Sequence, residues 1–233
     1  MLDLSNTTCV FVNGNNPSDS SKFHYLITNL QNRIKFHKIL YFTCGEFLNC
    51  KNTINLPVNQ MGYEVFNNFC LRVIPSFITS DYALYTQTDG FPINPHLWRD
   101  EFFQYDYIGA PWPDNWIEPH PYREGWRQGD GGYVYGGNGG FSFRSRKLLQ
   151  EVSKVNYFQK WNEDWIICYF EIENLMQNGL RFSDIETGKK FSLESDFPNH
   201  HNDLRQVFGF HHREKLEEGY SIFKENFELN ESL

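Results

Sequence analysis

The segment from Tyr82 to Gly90 begins as an apolar run and ends in an acid, Asp89, followed by a glycine. A buried strand that delivers a carboxylate to the carboxyl edge of a sheet has this pattern, and open α/β folds bind ligands at that edge. The glycine permits a tight backbone turn beside the carboxylate. An acid after a strand is common, so the prediction that Asp89 binds a ligand depends on three motifs further along the chain.

The first of these motifs is a glycine-rich turn, Gly136 to Gly140, with an asparagine at its centre. It lacks the Lys and Ser/Thr of a phosphate-binding P-loop. Glycines let a ligand approach the backbone, and the Asn138 side chain offers both a donor and an acceptor. A turn that only leads into a strand at Phe141 is the alternative. The residues expected to contact a ligand are Gly137, Asn138, Gly139 and Gly140.

The second motif is a pair of acids, Glu163 and Asp164, that follows Asn162 at a predicted helix start. Acids in the first turn stabilise a helix by about 0.3–1 kcal/mol each, which is the structural explanation. The functional explanation is that the helix start aims a carboxylate at a substrate hydroxyl and supplies a general base. Consecutive helical residues point about 100° apart, so we expect one acid to face the cleft. Asp164 adjoins the face bracketed by Trp161 and Trp165 and is the expected base.

The third motif is a histidine pair, His211 and His212, which follows an apolar Phe-Gly-Phe run. Histidine with carboxylate is compatible with Mn²⁺ or Mg²⁺. A zinc site would need three or four His or Cys ligands at a suitable spacing, and the sequence has no such spacing. The pattern therefore favours a carboxylate–histidine site for Mn²⁺ or Mg²⁺ over a zinc site, and either histidine could contribute to it.

Alternating strands and helices are predicted to position these motifs. Apolar runs at Cys9–Val12 and Lys38–Phe42 flank a helical pattern that extends from Phe23 to Ile34, which indicates a βαβ unit with a parallel strand pair. A second helix is expected to bury an apolar face from Val65 to Phe77. The remaining predicted elements are the strand that ends at Asp89, a strand from Phe141, helices that begin near Ser145, Asn162 and Arg213, and a strand at Phe191–Leu193. The predicted fold class is α/β, a single domain over residues 1–233 with a mostly parallel central sheet flanked by helices.

Residues 91–140 interrupt this alternation, because they are rich in Gly, Pro and aromatic residues and show no helical or strand period. A loop of this length in a compact domain is usually functional or disordered, and its aromatic content argues against disorder. We interpret residues 91–140 as an active-site segment, and residues 112–135 as a lid or acceptor wall.

Composition excludes some classes of function. The chain has 233 residues and a net charge of −8, without a block of Lys and Arg, so nucleic acid is not an expected partner. We also expect no transmembrane segment and no signal peptide. The five cysteines form no Cys-x-x-Cys pair, which favours reduced thiols in a cytoplasmic protein.

Taken in order, these motifs resemble the DUF5672 family and, through it, glycosyltransferases of the GT-A fold type. The similarity extends over roughly residues 35–215. The blocks that carry it are Gln87 to Gly90, Tyr105 to Trp112, Gly137 to Lys147, Asn162 to Asp164 and Phe208 to His211.

The resemblance assigns expected roles to these blocks. GT-A enzymes bind a nucleotide-sugar, usually through a divalent metal held by an Asp-x-Asp motif and often by a late histidine. Asp89 matches the last acid of that motif and His211 the late histidine, whereas Gln87 stands in place of the first acid and leaves metal dependence open. Glu163 and Asp164 match the acidic pair that supplies the base in inverting members. The implied substrate-binding residues are Gln87, Thr88, Trp112 and the turn from Gly137 to Gly140.

The implied function is transfer of a sugar from a nucleotide-sugar, with a UDP-sugar as the expected donor, to a hydroxyl acceptor such as a glycan. The expected cofactor is Mn²⁺ or Mg²⁺, and the expected mechanism is a single displacement with inversion. One catalytic carboxylate suffices because a diphosphate leaves without a strong acid, whereas a glycosidase needs two carboxyls. Two alternatives are a non-catalytic carbohydrate-binding protein that uses its Trp/Tyr-rich loop and a metal-dependent phosphoesterase, which would need more clustered His and Asp ligands.

Overall fold

A computed structural model of the protein describes residues 1–113, 133–134, 136–155, 161–194 and 202–228. Most of the predicted lid, residues 112–135, lies outside the described residues. The strands are β1 (Leu2–Asn13), β2 (Ile34–Thr43), β3 (Thr53–Pro57), β4 (Tyr82–Thr86), β5 (Gly90–Pro92), β6 (Tyr107–Gly109), β7 (Trp112–Pro113), β8 (Tyr133–Val134), β9 (Ser142–Ser145), β10 (Ser192–Leu193) and β11 (Gly209–His211). The α-helices are α1 (Ser20–Leu30), α2 (Tyr63–Arg72), α3 (Arg146–Val152), α4 (Glu163–Trp165), α5 (Ile172–Gln177), α6 (Ile185–Phe191) and α7 (Leu216–Phe227).

The central sheet has six strands in the order β3-β2-β1-β4-β9-β6. β3, β2, β1 and β4 run parallel, and β9 lies antiparallel between β4 and β6. The predicted βαβ unit and mostly parallel sheet are confirmed. A smaller sheet has the order β10-β11-β5, and β7 pairs with β8. Among the residues described, no helix combines the length and apolar character needed to cross a membrane.

Helices cover both faces of the central sheet, which confirms the predicted layers. In β1, Cys9 and Phe11 belong to the hydrophobic cluster that includes residues of α1 and α7. Val10 and Val12, which alternate with them, belong to the cluster that includes residues of α2 and α3. Strands buried on both faces are continuous apolar runs, which is how β1 could be recognised in the sequence.

The predicted faces and ends of the first two helices need correction. α1 ends at Leu30, and Ile34, expected on its apolar stripe, opens β2. In α2, Val65 was expected inside but is 57% exposed, whereas Cys70 and Leu71 are buried. Apolar residues occur on two sides of α2, so periodicity alone could not decide which side packs against the sheet.

The predicted helix at residue 162 consists of three pieces. α4 is followed by a π-helical stretch, Ile166–Phe170, and then by α5. The Asn162 side chain makes no capping hydrogen bond; instead, the Glu163 N–H donates to Asn67 Oδ1 of α2 at 2.9 Å. The helix start is therefore fixed to α2 by a contact that no local pattern indicates. β3 and α6 were not predicted, and Phe191, expected in a strand, is the last residue of α6.

A buried ion pair joins the start of α4 to β9. Arg144 is fully buried, and its Nη2 lies 2.8 Å from Glu163 Oε1. The same guanidinium donates to Ser142 Oγ and to the carbonyl of Gly139, and it lies 4.0 Å from the ring centroid of Tyr85. Arg144 thus holds the acidic pair against the glycine-rich turn.

Arg144→Met should lower the free energy of unfolding by about 3–5 kcal/mol, because it leaves the Glu163 carboxylate buried without a partner. The double variant Arg144→Met/Glu163→Gln removes that charge and should recover part of the loss. Urea denaturation measures both values. Equal stability of the single and double variants would contradict an unpaired buried charge as the cause.

Leu71→Ala should cost about 2–5 kcal/mol, since it opens a cavity in a packed core. Val65→Ala, on the exposed side of the same helix, should stay within about 0.5 kcal/mol of the parent protein. Urea denaturation of the two variants tests the observed orientation of α2. A larger loss for Val65→Ala would restore the face predicted from the sequence.

Candidate active site

Most of the predicted site residues meet in an open cleft of about 570 Å³ at the carboxyl end of β4. They come from well-separated parts of the chain and include both acids of the predicted pair. The predicted residues that line the cleft are Gln87, Asn138, Gly140, Glu163, Asp164 and His211. Its described lining does not include the other five predicted site residues, which are Thr88, Asp89, Trp112, Gly137 and Gly139.

Asp89 approaches His211, which lines the cleft. Asp89 lies in a tight turn between β4 and β5 that is closed by reciprocal backbone hydrogen bonds of Gln87 and Gly90. β11 pairs with β5 so that His211 lies opposite Gly90, and His211 Nε2 is 3.7 Å from Asp89 Oδ1. The predicted convergence of these two side chains is confirmed.

Glycine at positions 90 and 140 makes room for the histidine. A Cβ at Gly90 would lie 2.7 Å from His211 Cδ2, and a Cβ at Gly140 would also overlap the imidazole. Gly90 does not have a positive φ. Glycine is therefore needed at position 90 because His211 approaches closely. The backbone conformation at this position does not itself require a glycine.

Glu194 joins the site although the sequence analysis did not select it. Its Oε1 accepts a hydrogen bond from Asn138 Nδ2 at 2.6 Å, and its Oε2 accepts one from Trp112 Nε1 at 2.8 Å. The register of β10 and β11 pairs Leu193 with Phe210, which brings the next residue, Glu194, beside His211. An acid directly after a predicted strand, the signal that identified Asp89, was also present here.

The glycine-rich turn contacts the predicted base directly. Gly139 N donates to Asp164 Oδ2 at 2.9 Å, and Gly140 N donates to Asn138 Oδ1 at 2.7 Å. Gly137 has φ +82° and its carbonyl accepts a hydrogen bond from the Tyr107 hydroxyl. The glycine-rich turn was expected to let a ligand approach its backbone, and the Asp164 carboxylate of the protein itself occupies part of that space. Gly137 serves to give the backbone its left-handed conformation.

The two acids of the predicted pair have different surroundings. Both are buried and both border the cleft, so the expectation that only one acid reaches it was wrong. Glu163 Oε1 is paired with Arg144. Asp164 has no ion pair among the described residues, and burial, with repulsion from Glu163 and Glu194, raises its pKa from 3.8 to about 7.

The imidazole of His211 faces two carboxylates. Burial would lower the pKa of His211, but the interactions with Glu194 and Asp89 outweigh it and raise the pKa above its usual value. Within the described ranges, no group of three or more His, Cys, Asp or Glu is arranged to hold a metal ion. Asp89 and His211 nevertheless offer an oxygen and a nitrogen donor that face each other, which fits a divalent cation whose other ligands are phosphate oxygens and water.

The described part of the aromatic segment belongs mainly to the core. The Trp98 ring contacts Phe102 and Phe208 at centroid distances of 5.2 and 5.1 Å, and Trp112 is 4% exposed. These rings do not form an exposed platform for sugars. The binding-loop alternative therefore has no support from the described residues of this segment.

Two of the solved structures that match this chain illustrate how distant the similarity is. An active-site mutant of LgtC is 12% identical, covers 99% of this chain and 98% of its own, and has a TM-score of 0.45. The bifunctional IspDF from Campylobacter jejuni is 13% identical over 69% of this chain and 46% of its own, with a TM-score of 0.38. At these scores neither similarity bears on the chemistry of the site. A comparison with curated proteins gave no match.

The family comparison is more specific. The model of the family described as "Protein of unknown function (DUF5672)" matches residues 62–211. This range is more than half of the chain and contains every site residue selected from the sequence. The protein therefore belongs to the DUF5672 family.

Proposed function

We propose that the protein is a GT-A-type glycosyltransferase that moves a sugar from a nucleotide-sugar, a UDP-sugar, to a hydroxyl of a glycan acceptor with inversion. The observation that carries the proposal is that Asp164 and His211 line one cleft, with the Asp89 carboxylate 3.7 Å from the His211 imidazole. The cleft volume of about 570 Å³ suits a ligand of this size.

Asp164 is the proposed general base. A base works best when its pKa is close to the working pH, and burial brings Asp164 to that range. Glu163 is a poorer candidate, because its carboxylate is bound to the Arg144 guanidinium. In the proposed step, Asp164 takes the proton of the acceptor hydroxyl, the hydroxyl oxygen bonds to the anomeric carbon, and the bond from that carbon to the diphosphate breaks. The nucleoside diphosphate leaves with the bonding electrons.

Asp89 and His211 are the proposed ligands of a divalent metal, Mn²⁺ or Mg²⁺. The cleft contains Asp164 and Glu194 beside Arg213, and a bound cation would reduce the repulsion between these carboxylates and a negatively charged diphosphate. Such an ion, when bound, stabilises the charge that develops on the leaving diphosphate. Gln87, in place of the first acid, contributes an uncharged amide to the same wall.

Asp164→Asn should reduce kcat at least ~100-fold, since the base is lost, while the affinity for the donor is retained. The measurement is nucleoside diphosphate release from a panel of nucleotide-sugars with glycan acceptors. Below pH 7 the parent enzyme should lose activity as Asp164 becomes protonated, and the residual rate of Asp164→Asn should lack this dependence.

Glu163→Gln serves as the comparison variant, because it should affect stability more than kcat. If Glu163→Gln loses the activity and Asp164→Asn keeps it, the base has been assigned to the wrong carboxylate. If neither substitution affects kcat, the two acids only stabilise the helix start.

Asp89→Asn should weaken Mn²⁺-dependent binding of the donor at least ~10-fold, because metal-site changes typically cost 10–100-fold. Calorimetric titration of UDP-sugars with and without Mn²⁺ measures the effect. Asp3→Asn, an exposed acid on β1 far from its carboxyl end, is the matched control and should bind as the parent does. Equal donor affinity of Asp89→Asn and the parent at saturating Mn²⁺ would remove Asp89 from the proposed metal site.

A further inference from the structure

Three side chains converge on the carboxylate of Glu194, which lines the cleft. Asn138 Nδ2 lies 2.6 Å from its Oε1, and Trp112 Nε1 lies 2.8 Å from its Oε2. His211 Nδ1 is 3.5 Å from Oε1. The three partners come from β7, the glycine-rich turn and β11.

We propose that Glu194 is a positioning residue, which fixes Trp112, Asn138 and His211 around the substrates. The inference rests on the proposed glycosyl transfer and adds to it a residue outside the matched motifs. Glu194 acts through its neighbours and has no bond-making role of its own.

The arrangement requires a carboxylate at this position. Both oxygens of Glu194 accept from N–H groups, and an ionised carboxylate has only acceptors. A glutamine has one oxygen and one NH₂ group, so one of the two donors, Trp112 or Asn138, would face another donor. Leaving a buried donor unsatisfied is costlier than losing an average hydrogen bond. The substitution Glu194→Gln therefore keeps the size of the side chain but places a donor opposite another donor.

Glu194 also determines what Asn138 offers to a ligand. Asn138 Oδ1 already accepts from Gly140 N, and one hydrogen of Nδ2 is donated to Glu194. These two bonds fix the orientation of the amide. The remaining N–H of Asn138, a residue that lines the cleft, is then available to a hydroxyl or phosphate oxygen.

Glu194 also lies beside His211, with its Oε1 3.5 Å from Nδ1, while Asp89 lies 3.7 Å from the other ring nitrogen, Nε2. The imidazole is held between these two carboxylates, which restricts its orientation in the cleft.

The experiment compares Glu194→Gln, Trp112→Phe and the double variant. Glu194→Gln should lower kcat about 10–100-fold, the range typical of residues that orient a site. Trp112→Phe removes the donor that the introduced amide would face, so the double variant should retain more activity than the product of the two single effects predicts. Activity is followed as nucleoside diphosphate release.

A second measurement does not depend on activity. In protein labelled with ¹⁵N-tryptophan, the indole N–H resonance that is missing in Trp112→Phe belongs to Trp112. It should show slow hydrogen exchange in the parent and should shift and exchange faster in Glu194→Gln. Should Glu194→Gln fail to fold, recovery of folding in the double variant supports the contact, and failure of the double variant contradicts it.

Two results would overturn the inference. One is a Trp112 resonance that is unchanged in Glu194→Gln, and the other is a kcat that is unchanged although the resonance moves. If the parent protein neither binds a nucleotide-sugar nor releases a nucleoside diphosphate from one, the proposed function fails, and the resonance still reports on the Glu194 contact separately.

Discussion

The buried guanidinium of Arg144 is the interaction on which the arrangement of the cleft depends. It binds the Gly139 carbonyl and the Glu163 carboxylate at once, while the Gly139 N–H donates to Asp164. The N–H and the carbonyl of Gly139 thus both form hydrogen bonds that help to fix the start of α4. The ring of Tyr85 lies close to the cation and provides a favourable electrostatic contact. The orientation of Asp164 towards the cleft follows from this set of bonds and not from the helix dipole alone.

Within the described ranges, two acids of the site are paired with cationic side chains, whereas Asp164 is not. Glu163 is paired with Arg144, and Asp89 faces both His211 and Arg213 at 3.7 Å. Asp164 lacks an ion pair among the described residues, and like charges lie near it. The pKa of Asp164 is therefore raised, because a protonated carboxyl is less costly to bury than an unpaired carboxylate. The same crowding of acids that raises the pKa of Asp164 would repel a phosphate, so the proposed base and the proposed cation have one electrostatic origin.

The sequence predicted the parallel sheet from its apolar runs. The meeting of Asp89 with His211 was predicted from the apolar run before each residue together with the resemblance to a family. The same rule would have identified Glu194, but β10 has only two residues and its local signal is weak. Arg144 was missed since an arginine in an alternating strand usually faces solvent, and only its long-range partner explains its burial. The predicted buried face of α2 was wrong at Val65, because apolar residues occur on both sides of this helix. Local periodicity thus predicted the strands and helices. It could not predict the side-chain contacts between elements that are distant in sequence.

The smaller sheet explains why residues so far apart in sequence form one site. β5 begins next to Asp89, β11 ends at His211, and β10 leads into Glu194. The register of β5 with β11 places His211 opposite Gly90, and the register of β11 with β10 brings Glu194 alongside. A shift by one residue would turn His211 to the other face of the sheet. Three short strands therefore set the spacing of the proposed metal ligand pair and its orienting carboxylate, while the central sheet and Arg144 set the position of the base.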